Sequence, residues 1–377
     1  MKIIINASNL KMGGAIQVTL SFLEECKKNL GNQYHVFLSP ALSKQIDINS
    51  YSTSFQFYFF NDFITNPLKS YSILSRLNRL EREINPDVVF SVFGPTFWTP
   101  KTKHLMGYAN PWYIYPESVA YKKLKYHQRV LKYFDRKIKT FLIKKNAQFF
   151  VVETEDVKKR MIEHFLVSEK KISVVNNTHS SIYNYPPPGV LQLPSKKENE
   201  FRLVTISANY LHKNLAIIKD VILQLHNDNI FYRFVLTIHE EDYKRIFGEV
   251  NSLICQNHII NLGPIKVKDC PDVYNQSDAL FLPTLLECFS ASYPEAMRLS
   301  KPILTSNLPF AKGICDDAAL YFNPLDPVEI ASQIRKLAEN TSVYKDLIDK
   351  GNTRLHSFNS AEQRAKKYLE ICDSILK

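Results

Sequence analysis

Two α/β domains, each a parallel sheet covered by helices, is the fold class this sequence predicts, and three observations carry it. The chain has 377 residues, more than one hydrophobic core usually serves. Short apolar runs alternate with helical-period segments along its whole length, the pattern of a sheet whose crossovers are helices. Between residues 184 and 200, "NYPPPGVLQLPSKKENE" sets a proline cluster ahead of charges, which continues neither a helix nor a central strand. The reading is therefore a first domain over 1–183, a linker over 184–200 and a second domain over 201–359. The amphipathic segment 360–377 is a candidate to pack back on the first domain.

In chain order, the strand candidates of the first half are "KIIINA", "YHVFLS", "FQFYFF", "DVVFSV", "HLMGYA" and "AQFFVVE". Those of the second half are "ISVVN", "FRLVTISA", "YRFVLTI", "HIINLG", "DALFLPT", "PILTS" and "AALYF". The opening "MKIIINASNL" lacks a basic region followed by an apolar stretch and a cleavage site, so it reads as a first strand and the expected location is cytoplasmic. Six scattered cysteines without C-x-x-C or zinc-like spacing read as reduced thiols. Composition, 45% hydrophobic and 23% charged, is globular, and no run reaches the roughly 18 apolar residues of a membrane span. A net charge of +11 suggests a polyanionic partner: nucleic acid, lipid headgroups or a phosphorylated substrate.

Only 10 glycines occur, and Gly13 and Gly14 fall between the first strand and a helical pattern. Glycines there either bring backbone close to a bound anion or make an ordinary strand-to-helix turn. The more informative stretch is "LLECFSASYPEA", residues 285 to 296, directly after "DALFLPT". In a doubly wound sheet ligands collect beyond the carboxyl ends of strands, so Glu287 lies in a ligand-side loop. Its carboxylate suits sugar hydroxyls, the amides of Phe289, Ser290 and Ala291 suit a diphosphate, and Glu295, about two turns on, suits a second pair of hydroxyls. Lys213 in "NYLHKNL" sits at another strand-to-helix crossing, where it would supply a point charge to a leaving phosphate. Each alone is an ordinary surface or capping residue; together they point to a nucleotide sugar.

The segment Asp278 to Pro324, with the E-x7-E pair Glu287 and Glu295, "EAM", "KPILTSN" and "DAALYFNP", resembles the donor-binding region of GT-B retaining glycosyltransferases of the GT4 type. "LHKNL" and the early "GGA" are similar to that family's lysine motif and glycine loop, and the resemblance is close over roughly 200 to 335. It implies two Rossmann-like domains facing each other across a cleft, with Glu287 and Lys213 as the catalytic pair. Glu287 and the three amides would hold sugar and diphosphate, Glu295 the ribose, and Gly263, Pro264 and Ile265 the base. Gly13 and Gly14 would approach the donor from the other domain. The chain departs from the family at Ala208, where many relatives have arginine, at Cys288 and Ser290 in place of glycines, and at Ala109 or Asn110 in place of a histidine.

What the resemblance implies is a retaining hexosyltransferase using a UDP- or GDP-linked sugar and a saccharide or lipid-linked saccharide acceptor, in capsule or O-antigen synthesis. A sugar-nucleotide epimerase of the same architecture and a non-catalytic nucleotide-sugar binder are the alternatives. No D-x-D triplet occurs, so neither a metal nor any cofactor beyond the donor is expected. Trp98 and Trp112, in an aromatic-rich stretch, either offer faces to an acceptor sugar or belong to the core. Residues 121–146 hold ten Lys or Arg and one acidic residue with apolar positions at helical spacing. They either rest on an anionic membrane, placing the protein at the inner face of the plasma membrane, or pack on the sheet with the basic face in water. No nucleic-acid motif is present, and none is expected as a partner.

Overall fold

The computed structural model describes the chain except residues 12, 30, 64–69, 187–188 and 249–251, and the side chains of 252 and 253. It divides into two compact units: 1–116, 125–177 and 359–377 form the first, and 117–124 with 178–358 the second.

The first unit is built on seven parallel strands: β1 (Lys2–Ala7), β2 (Gln33–Leu38), β3 (Phe55–Phe59), β4 (Val88–Gly94), β5 (His104–Tyr108), β6 (Phe149–Val152) and β7 (Ile172–Val174). Their order is β3-β2-β1-β4-β5-β6-β7. The central strands are buried along nearly their whole length because helices cover both faces, which is why they read as unbroken apolar runs. Helix Gly14–Cys26 buries Ile16, Val18, Phe22 and Cys26. Helix Ala361–Ser374 opens on a reciprocal Ser360/Gln363 cap and packs on Gly14–Cys26. Tyr368 meets the rings of Phe22 at 5.5 Å and Phe90 at 5.3 Å, while the Arg364 guanidinium donates to Ser21 Oγ at 2.9 Å and to Asn177.

Six parallel strands make the second unit: β8 (Glu200–Thr205), β9 (Phe231–Leu236), β10 (Ile259–Asn261), β11 (Ala279–Leu282), β12 (Ile303–Ser306) and β13 (Leu320–Phe322), in the order β10-β9-β8-β11-β12-β13. Both sheets are doubly wound. Chain order reverses between β1 and β4 in the first and between β8 and β11 in the second, and loops leaving the carboxyl ends of such neighbours diverge to open a crevice.

Three readings of the sequence need correction. "ISVVN" supplies β7, which pairs with β6 and closes the first sheet. The 184–200 stretch lies within the second unit: Val190 and Leu191 amides donate to the Asp272 carboxylate at 3.0 and 3.2 Å, and the Leu193 amide to Gln276 at 2.9 Å. Pro187 and Pro188 of that stretch are outside the described residues. Residues 117–124, read within the first domain, belong to the second unit, where Ser118 Oγ donates to the Leu285 carbonyl at 3.0 Å and Lys123 Nζ to Asn214 Oδ1 at 2.5 Å. All six cysteines are buried free thiols. No helix among the described residues is long and apolar enough to cross a membrane.

Candidate active site

The strand order of the second sheet does most of the assembly. Because β8 and β11 are neighbours at the reversal, the loop after β8, carrying Lys213, and the loop after β11, carrying Glu287, emerge side by side although 74 residues separate them. Lys213 closes the short 3-10 turn Leu211–Lys213. Asn214 then takes φ 58°, a left-handed conformation that asparagine tolerates better than most residues, and this turns the chain sharply before helix Ile217–Leu225. The Asn214 side chain is pinned to the Pro324 carbonyl at 2.8 Å, so the turn is anchored from both sides.

Lys213 Nζ lies 2.5 Å from Glu287 Oε1, and both side chains are mostly buried. Thr284 Oγ1 lies 3.1 Å from the His212 carbonyl and 3.3 Å from Glu287 Oε1, and the Leu285 amide donates to the same carbonyl at 2.7 Å. The two loops are thus stitched together by backbone before the ion pair forms. Desolvation lowers the pKa of the His212 imidazole; Glu287 works against that shift and Lys213 with it.

Glu295 stands on helix Ser292–Arg298, which begins ten residues after β11 ends at Leu282. Tyr274 OH donates to its Oε2 at 3.3 Å, and Tyr183 is a second hydroxyl donor. Burial is the larger effect and pushes the carboxyl up to about 7, with the two tyrosines and then the positive charge of Lys213 opposing it. That Glu295 feels Lys213 places the three groups in one electrostatic neighbourhood. Before the helix, the amides of Phe289, Ser290 and Ala291 donate to no protein group among the described residues.

The other predicted positions lie as follows. Gly263, at φ 69°, with Pro264 and Ile265 follows β10 at the same carboxyl edge; a Cβ on Gly263 would meet no atom within 4 Å, so its need for glycine is conformational. In the first unit Gly13 takes φ 75° and Gly14 opens its helix, and neither would meet an atom within 4 Å through an added Cβ. Asn110 follows β5, and its side chain caps helix Pro111–Ile114 by accepting the Trp112 amide at 3.1 Å. Trp112 is half-buried with Lys132 Nζ 5.3 Å above its ring. Trp98 is a core residue, which corrects its reading as an acceptor contact. It is 1% exposed among Ile4, Phe37, Phe60 and Leu77, and its indole N–H is satisfied by Asn78 at 2.9 Å. Among the described residues no three His, Cys, Asp or Glu side chains form a metal-binding group.

Sequence reasoning missed Thr284, His212 and the tyrosine pair around Glu295. Tyr274 precedes "NQSDALFLP" and Tyr183 precedes the proline cluster; neither neighbourhood marks a partner for a glutamate more than twenty residues away.

Two doubly wound units with paired charges at a strand-order reversal define the architecture of a GT-B glycosyltransferase. The family model "Glycosyltransferase Family 4" matches residues 12–178 and "Glycosyl transferases group 1" matches 192–354. The chain belongs to the GT4-type glycosyltransferases. Among curated proteins, the O-antigen chain mannosyltransferase RfbU of Salmonella typhimurium is 24% identical over 204 residues, 53% of this chain and 54% of that protein, so the match spans about half the relative's length. Of solved structures, a Rickettsia africae glycosyltransferase shares the fold with a TM-score of 0.74 at 17% identity, covering 100% of this chain and 98% of that one. Anabaena Alr3699/HepE, solved with UDP and glucose, does so with 0.71 at 13% identity, covering 99% and 100%.

Proposed function

We propose that the protein is a retaining, metal-independent glycosyltransferase that moves a hexosyl unit from a UDP- or GDP-linked sugar to a saccharide or lipid-linked saccharide acceptor. The product on this reading is a cell-surface polysaccharide of the O-antigen or capsule type. The observation that carries it is the Lys213–Glu287 pair at the β8/β11 reversal, with three unengaged amides beside it. Phe289, Ser290 and Ala291 amides would receive the diphosphate, and Lys213 would swing from Glu287 to neutralise charge as the diphosphate leaves. Glu287 would hold hydroxyls of the transferred sugar, and Glu295 those of the ribose. The Lys213 ammonium would take the charge-stabilising part that a divalent cation plays elsewhere. That RfbU is a mannosyltransferase of O-antigen chains, and that the Anabaena structure holds UDP and glucose, supports the substrate class.

The test is a thermal-shift screen against UDP- and GDP-sugars with a chelator present, followed by product analysis with a saccharide acceptor. One nucleotide sugar should raise Tm, by an amount that grows with its concentration. Transfer should survive chelation with the anomeric configuration kept. No shift with any nucleotide sugar, or an inverted product, overturns the reading.

Glu295 gives a pH prediction. Its folded pKa, about 7, lies above the ordinary 4.5, so the folded state holds a proton that the unfolded chain has released. Its contribution to stability is full below about 4.5 and is lost as pH rises through about 7. Donor affinity should run the other way, rising through the same window as the carboxylate that accepts ribose hydroxyls forms. Glu295→Gln should flatten both profiles, read by Tm and by donor titration at each pH.

A further inference from the structure

A surface helix normally turns its apolar stripe to the core and its charges to water. The helix Tyr126–Asn146 does the reverse. Its 21 residues span about 30 Å at 1.5 Å per residue. Val130, Leu131, Phe134, Ile138 and Phe141 recur at three- and four-residue spacing, so they form one stripe, and that stripe is in solvent. Leu131 is 67% exposed, Phe134 58%, Ile138 59% and Phe141 63%. The side facing the first unit is mostly polar. Asp135 accepts from Tyr113 OH at 2.9 Å, Lys132 lies over Trp112 and Lys139 Nζ stands 4.0 Å from the centre of the Phe97 ring. Only Ile143 and Asn146 of the whole helix are buried.

Beside the stripe the surface is cationic. A cavity of about 750 Å³ is lined by Arg136, Lys137, Lys144 and Lys145 together with Phe141, and Glu163 is the one acidic group in its lining. We propose that this helix is a docking surface for an anionic lipid membrane. The stripe enters the boundary between headgroups and acyl chains, and the flanking lysines and arginines meet the headgroups, their alkyl stems extending along the apolar surface. Charge selects this occupant over a second copy of the chain. A symmetric pairing through the stripe would bring two strongly basic helices together, and like charges across an interface oppose association. The inference stands apart from the transfer reaction, since its readout is lipid binding.

The test is flotation of the full chain with phosphatidylcholine vesicles, with and without phosphatidylglycerol. Binding is expected only where phosphatidylglycerol is present, and it should weaken as salt is raised. Leu131→Ser/Phe134→Ser/Ile138→Ser should lower the partition coefficient roughly a hundredfold, and Lys137→Glu/Lys144→Glu/Lys145→Glu by as much or more. These side chains are exposed, so unfolding temperatures should stay unchanged and report intact folding. Failure of the wild-type chain to float with anionic vesicles, or equal flotation of either triple variant, overturns the proposal. A wild-type dimer that the serine variant converts to a monomer would assign the stripe to a second copy and overturn it as well.

Discussion

On the proposed mechanism Lys213→Ala should lower kcat for sugar transfer by roughly a hundred- to a thousandfold, the usual consequence of removing one preorganised group that stabilises charge developing in a transition state. The loss should fall on kcat more than on donor KM, because the ammonium matters most when the diphosphate is departing. The same change also strands the Glu287 carboxylate, mostly buried, without its ion-pair partner and with the Thr284 hydroxyl 3.3 Å away. Thermal stability should therefore drop in Lys213→Ala. A double variant, Lys213→Ala/Glu287→Ala, separates the two consequences. It should recover much of the lost Tm, since no unpaired charge remains, while transfer stays at the low level. Recovery of transfer along with stability would mean that the lysine serves the fold alone. Lys213→Arg should restore the ion pair and only part of the rate, because a planar guanidinium cannot follow a leaving phosphate as a compact ammonium does.

Trp98→Ala should destabilise the protein by about 3–5 kcal/mol, the range for deleting a large aromatic side chain from a packed interior. The indole fills the space between the sheet and helix Tyr71–Ile84, beside Phe37 at 6.0 Å between ring centres. Trp98→Phe keeps most of that volume and gives up the bond to Asn78, so its cost should be nearer 1–2 kcal/mol. Urea or thermal unfolding measures both. Acceptor KM should be unchanged in Trp98→Phe, and a raised KM would return this residue to the acceptor site.

All thirteen strands among the described residues were legible in the sequence, the central ones because a strand covered on both faces must be apolar throughout and such runs stand out between helical segments. Membership was harder. The three residues of β7 carry no mark of which sheet they join, and only pairing with β6 decides it. For Lys213 and Glu287, position after a strand was enough to nominate them, but their meeting depends on strand order, a property of the whole sheet. Glu295 was nominated from its place in the chain, yet burial raises its pKa and hydrogen bonds from Tyr183 and Tyr274, contributed by separate segments, oppose that rise, and neither effect is marked in the local sequence. Trp98 shows the limit of composition: an aromatic-rich stretch says that rings gather there and nothing about which way each one points. The same limit applies to helix Tyr126–Asn146, where spacing reveals an apolar stripe and leaves its direction open. Residues 117–124 were unreadable for a related reason, since Ser118 finds its partner carbonyl 167 residues later.

The packing of helix Ala361–Ser374 against Gly14–Cys26 also has a bearing on biosynthesis. Everything in the second unit is translated before that helix exists, so the first unit emerges from the ribosome with the surface around Phe22 and Ser21 bare and stays so until residues past 360 are made. The earliest-synthesised part of this chain is therefore the last to be completed, after the whole second unit has been made.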